Sequence, residues 1–146
     1  MEYSTGTTGR VFFVKFEHGE DLLVEIKNIV DRENIAAGTI TFLGALSKGE
    51  IVTGPVEEKI PAEPNWMSFG GAWEVFGFGT LARGEDGSVK IHAHGAFGKK
   101  ESSLAGCLRK DAKIFITIEA VITEIKNTRV LRKKDEAVGH DLLAFA

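Results

Sequence analysis

VKIHAHGAFGKKESSLAGCL, residues 89–108, holds two of the four histidines and the only cysteine of the 146-residue chain. Val89, Ile91, Ala93 and Gly95 alternate with Lys90, His92 and His94, a period of two that predicts a β-strand. Immediately upstream, residues 83–87 read RGEDG, whose Asp-Gly step signals a hairpin turn. Before that turn, residues 72–81 (AWEVFGFGTL) alternate again, with Trp73, Val75, Phe76 and Phe78 as their large side chains. Two alternating runs joined by a tight turn pair antiparallel. The architecture to expect is therefore built on an antiparallel sheet.

The same stretch carries the chemistry. Residues i and i+2 of a strand point to one face, so His92 and His94 stand side by side, roughly 6–7 Å apart at Cα. Two imidazoles at that spacing can converge on one ion. Cys107 follows a Gly- and Ser-containing stretch in which the chain can turn back. Two imidazoles and a thiolate suit a borderline-soft cation, zinc first. Blander readings stand beside this one. The histidines can be satisfied by water or carbonyls, and Cys107, among Leu104, Ala105, Gly106 and Leu108, also fits a small buried hydrophobe.

Outward from the centre, residues 1–9 are polar and are read as a lead-in, and residues 10–146 as the domain. Residues 10–16 (RVFFVKF) predict the first strand. Residues 21–34 have helical periodicity, with Leu22, Ile26, Ile29 and Val30 on one stripe, Leu23 at its margin, and Glu20 and Asp21 at the end where acids are favoured. Residues 36–46 predict a central strand and 49–55 a further short one, ended by Gly54-Pro55. Residues 57–65, with Pro61 and Pro64, read as irregular, and 66–70 as a short strand. Residues 114–126 (IFITIEAVITEIK) are a β-branched strand. A basic segment, 128–134, and a short strand, 141–146, close the chain. Many strands with one principal helix indicate an α+β domain with a mostly antiparallel sheet.

Composition narrows the function classes. At 43% hydrophobic and 27% charged residues the chain is an ordinary single-domain globule. A net charge of −3 disfavours a dedicated nucleic-acid coat. One cysteine excludes an internal disulfide and fits a reducing, cytoplasmic setting. No stretch has the ~20 apolar residues of a membrane span, and the polar start MEYSTGTTGR is not a secretory leader. GAFGKKESS lacks the spacing of a phosphate-cradling loop, so no nucleotide cofactor is expected.

Taken in order, HGEDLLVEI, FLGAL, WEVFGFGTL, IHAHGAF, AGCL and IEAVITEI resemble the PPC domain, the plants and prokaryotes conserved domain, over nearly the whole chain. The resemblance implies an antiparallel sheet flanked by a helix and assembly as a homotrimer. It also implies a metal on three histidines, two from an HxH strand and one from a following turn. His92 and His94 match the first two, and Cys107 stands where the third histidine would be. Thiolate replaces imidazole readily around zinc. Plant members add arms that enter the DNA minor groove. This sequence has no such arm, and its basic stretches, Lys99-Lys100, Arg109-Lys110 and 129–134, read as solvated faces. DNA association is thus implied by the family alone.

Beside direct nucleic-acid binding by the trimer, two functions compete. One is a non-catalytic binding or regulatory module, with Trp66, Trp73, Phe76 and Phe78 facing a neighbouring subunit, although ordinary core packing is the first expectation for each. The other is a metal-dependent, hydrolase-like enzyme with a metal-bound water. Glu119 and Glu74, each within an apolar strand, are its candidate bases or a fourth ligand. An outward-facing strand position or a buried structural hydrogen bond is the first expectation for both glutamates. His18 is expected in a solvated turn and His140 at the surface.

Overall fold

The structure is a computed structural model that describes residues 1–145. Strand β1 spans Thr7–Glu17 and helix α1 spans Leu22–Arg32. Then follow β2 (Ala37–Pro55), β3 (Pro64–Arg83), β4 (Val89–Lys99), β5 (Ser102–Lys126), β6 (Val130–Asp135) and β7 (His140–Phe145). The fold is α+β, a mostly antiparallel sheet with a single helix among the described residues. Ala146, the last residue of the expected 141–146 strand, lies outside the described residues.

The five-stranded sheet has the order β1-β5-β2-β3-β4, and β4 pairs again with the start of β5. That second pairing closes β2, β3, β4 and the first half of β5 into a ring. Cys107 sits at the closure, opposite His94 on one side and Val52 on the other. The second half of β5 runs between β1 and β2. Register shifts let the long strands bend between the two roles. Asp111 and Ile116, with φ of 55° and 62°, mark the irregular part of β5.

Alternation decides which side chains fill the ring. Ala93 and Phe97 of β4 are buried, whereas His92 and His94 face outward. Phe69 and Phe97 pack with ring centroids 4.9 Å apart. Three glycines make room for aromatic rings: Gly49 under Phe69, Gly77 under Phe42 and Gly95 under Phe97. A side chain at any of the three would collide with the ring above it.

Helix α1 lays its stripe on the remaining core. Leu22, Ile26 and Val30 are buried, each worth about 1.5–3 kcal/mol of transfer free energy. The Asp21 carboxylate accepts from the Leu23 and Val24 amides, satisfying first-turn donors. At the other end, Arg83 of β3 donates to the Val30 and Ile35 carbonyls and pairs with Asp31. A cation at a helix C-terminus is the favourable placement.

Several expected boundaries move. Residues 36–46 and 49–55 form one strand, as do 66–70 and 72–81, because cross-strand bonds carry both runs past their glycines. β1 starts at Thr7. The AGCL segment is strand rather than turn: the chain reverses at Lys100 and Glu101, and Cys107 is already well into β5. No helix among the described residues is long and apolar enough to cross a membrane.

Candidate metal centre

Neighbouring positions on two strands, β4 and β5, build the ligand set. The outward parity of β4 puts His92 and His94 on one face. Their Nε2 atoms lie 3.0 Å apart and their ring centroids 4.9 Å apart. At that distance one Nε2–H donates to the other Nε2, which requires at least one neutral ring. Cys107 is delivered from β5 directly opposite His94. The candidate ligand atoms of His92, His94 and Cys107 all lie within 4.8 Å of one another. Tetrahedral zinc, at its usual bond lengths, separates nitrogen donors by about 3.3 Å and nitrogen from sulfur slightly more. The three residues fit such an ion in number, type and spacing.

The electrostatics are unusual. Desolvation in the cleft lowers the His92 pKa, and the charge of Arg132 and the neighbouring His94 and Arg109 add to this. Burial pushes the Cys107 thiol up, while Arg109 and Arg132 pull it back down. A neutral imidazole is the form that binds metal, and a bound cation would deprotonate the thiol.

These residues line a cleft of about 200 Å³. Val52, Pro55, Ala62 and Pro64 give it apolar lining, and Arg109 and His140 line it with the ligands. His140 is therefore part of the cleft. The charge run 128–134 concealed Arg132, which is buried at 7% exposure while its neighbours Lys133 and Lys134 are solvated. Strand parity is its one local signal, and a uniformly basic run masks it.

The two glutamates lie elsewhere. Glu119 pairs with Leu43, nine positions along β2 from the Val52 opposite Cys107, on the order of 30 Å of extended strand. Glu74 pairs with Gly98, four positions beyond His94, or about 13 Å. Both face outward, so neither is a fourth ligand of an ion held by His92, His94 and Cys107. Glu119 instead borders a larger cleft, about 350 Å³, with Phe13, Leu43 and Phe76. His18 accepts from the Ile116 amide at 3.1 Å and packs edge-on against Phe115, a structural role.

Solved structures carry the same architecture. A metal-containing protein from Archaeoglobus fulgidus superposes with a TM-score of 0.87 at 22% identity, covering 99% of both chains. A plant- and prokaryote-conserved (PPC) protein from Pyrococcus horikoshii superposes at 0.85 with 25% identity, covering 100% of this chain and 99% of that one. A candidate DNA-binding protein from Ralstonia eutropha JMP134 superposes at 0.76 with 17% identity, over 92% and 90% of the two chains. No curated protein matches the sequence. The profile of the Plants and Prokaryotes Conserved (PCC) domain matches residues 3–126, most of the chain, and the chain belongs to that family.

Proposed function

We propose that this protein is a metal-binding, non-catalytic module that holds zinc on His92, His94 and Cys107 and works as a homotrimer. The observation that carries the reading is the convergence of three donor atoms within 4.8 Å from two strands. Two imidazoles and one thiolate favour zinc over hard cations, which prefer oxygen. A fourth position would remain for water or a small ligand, and the ion would act there as a Lewis acid. The relative from Archaeoglobus fulgidus, named as metal-containing, is consistent with this.

The subunit surface supports assembly. Phe13, Leu43, Phe76 and Phe78 are 88%, 52%, 62% and 51% exposed, on β1, β2 and β3, with β5 between the first two of these strands. A contiguous apolar patch on a sheet face marks an interaction surface. Three copies is the number the family resemblance implies.

Two alternatives are weaker. A hydrolase needs a base beside the ion: no carboxylate lines the cleft among the described residues, which leaves His140 as the one side chain there for that role. Direct DNA binding needs a basic surface, and the net charge of −3 disfavours one. Cys107→Ser and His92→Ala are expected to lower metal content well below one ion per chain, read by elemental analysis of protein never exposed to chelator. Unchanged stoichiometry in both variants would refute the ligand assignment. A salt-dependent gel shift with random duplex is expected to be negative.

A further inference from the structure

We propose that the cleft beside His92, His94 and Cys107 is a binding site for a small aliphatic carboxylate, held by Arg109 among the side chains of Val52, Pro55, Ala62 and Pro64, with the buried Arg132 charge behind it. The proposal deepens the metal reading and rests on it for the ion.

Charge is the first observation. Arg109 lines the cleft and takes part in no ion pair among the described residues. Arg132 is buried, and its guanidinium meets only neutral acceptors: the Asp141 carbonyl at 3.1 Å and Thr80 Oγ1 at 2.8 Å. Its Nε has no partner at all. The Asp141 carboxylate is turned away to Lys90, 3.2 Å from it. Burial lowers the Arg132 pKa, and the nearby Asp141 charge offsets that desolvation only in part.

Topology puts that charge at the site. Thr80 is the direct cross-strand partner of His92, and such partners share a face of the sheet. Arg132, bonded to Thr80, therefore stands beside the His92 ring. A divalent ion on two neutral imidazoles and a thiolate keeps one positive charge, to which two guanidiniums are added. No carboxylate lines the cleft among the described residues to balance them. An anion entering from solvent would.

Shape selects the kind of anion. Part of the lining, Val52, Pro55, Ala62 and Pro64, is apolar, so a ligand charged all round, such as phosphate, would desolvate oxygens against it without partners. A carboxylate has one charged end, which a guanidinium grips through parallel hydrogen bonds, and a tail for the apolar wall. About 200 Å³ is the space of roughly six or seven waters, hence of a ligand with about that many non-hydrogen atoms. Butyrate fits this description.

The test is calorimetric titration of the purified, metal-assayed protein with butyrate, 1-butanol and inorganic phosphate. Butyrate is expected to bind and butanol not to. Arg109→Gln, at an exposed position, is expected to weaken butyrate at least tenfold in protein whose metal content and melting temperature are matched to the parent's. Arg132→Met, if it folds, should do the same. Phosphate binding more tightly than butyrate, or an unaltered butyrate affinity in Arg109→Gln, overturns the proposal. A metal-replete parent that ignores butyrate overturns it and leaves the metal reading standing. A metal-free parent that binds butyrate through Arg109 overturns the metal reading and leaves this one.

Discussion

Glu124 is a buried carboxylate whose neighbours hold it ionised. Arg10 donates to it through Nε at 2.9 Å, NH2 at 3.1 Å and its own backbone amide at 3.0 Å. The same guanidinium reaches Glu33 at the end of α1, so three elements meet on one cation. These bonds hold the Glu124 pKa down to about 2 from an ordinary value near 4.5. Stability from this contact is complete above pH 4.5, where folded and unfolded chains are both ionised. Below that the unfolded chain takes up a proton that the folded chain refuses, and the contribution is lost as pH falls to about 2. Glu124→Gln is expected to lower stability at neutral pH and to flatten its acid dependence across that window. Urea melts at several pH values check this, and parallel slopes in parent and variant would contradict it. Little of this was legible in the sequence, since Arg10 and Glu124 lie 114 positions apart. His92 and His94 are the opposite case: strand periodicity alone places them side by side.

At the scale of elements, β3 and β4 carry the ring through a repeated pairing of glycine with aromatic. A Cβ on Gly77 would lie 2.1 Å from the Phe42 ring, far inside contact distance. Phe42 is fully buried and has nowhere to retreat. Gly77→Ala is therefore expected to cost about 1–3 kcal/mol or more, measured by chemical denaturation. Gly70, with open space at its Cβ, is the control, and Gly70→Ala should change stability far less. Helix α1 was legible because its stripe, its Asp21 cap and its bounds are local features. The joining of 36–46 to 49–55 was not. A glycine interrupts a local pattern, and only the neighbouring strand shows whether the ladder continues across it. The placing of Cys107 in β5 rather than a turn has the same cause, because AGCL has no strand signal until β4 and β2 flank it.

For the whole molecule, the sheet leaves one face uncovered. Phe76 and Phe78 were expected first in the core, along with Trp66 and Trp73; Trp73 is the partly buried one, and Trp66 is 51% exposed. If the proposed trimer forms through this face, a charge at its centre breaks it. Phe76→Lys is expected to yield a folded monomer by light scattering, with metal content retained, whereas a parent that is already monomeric would refute the assembly. The sequence by itself determined the α+β class, the helix and the shared face of His92 and His94, because periodicity and capping act over a few residues. Only the tertiary structure decided that β4 closes onto β5, that Cys107 meets the histidines there, and that Arg109, Arg132 and His140 gather around them while Glu119 and Glu74 do not. Those placements depend on strand register across the ring, a long-range property that no local pattern encodes.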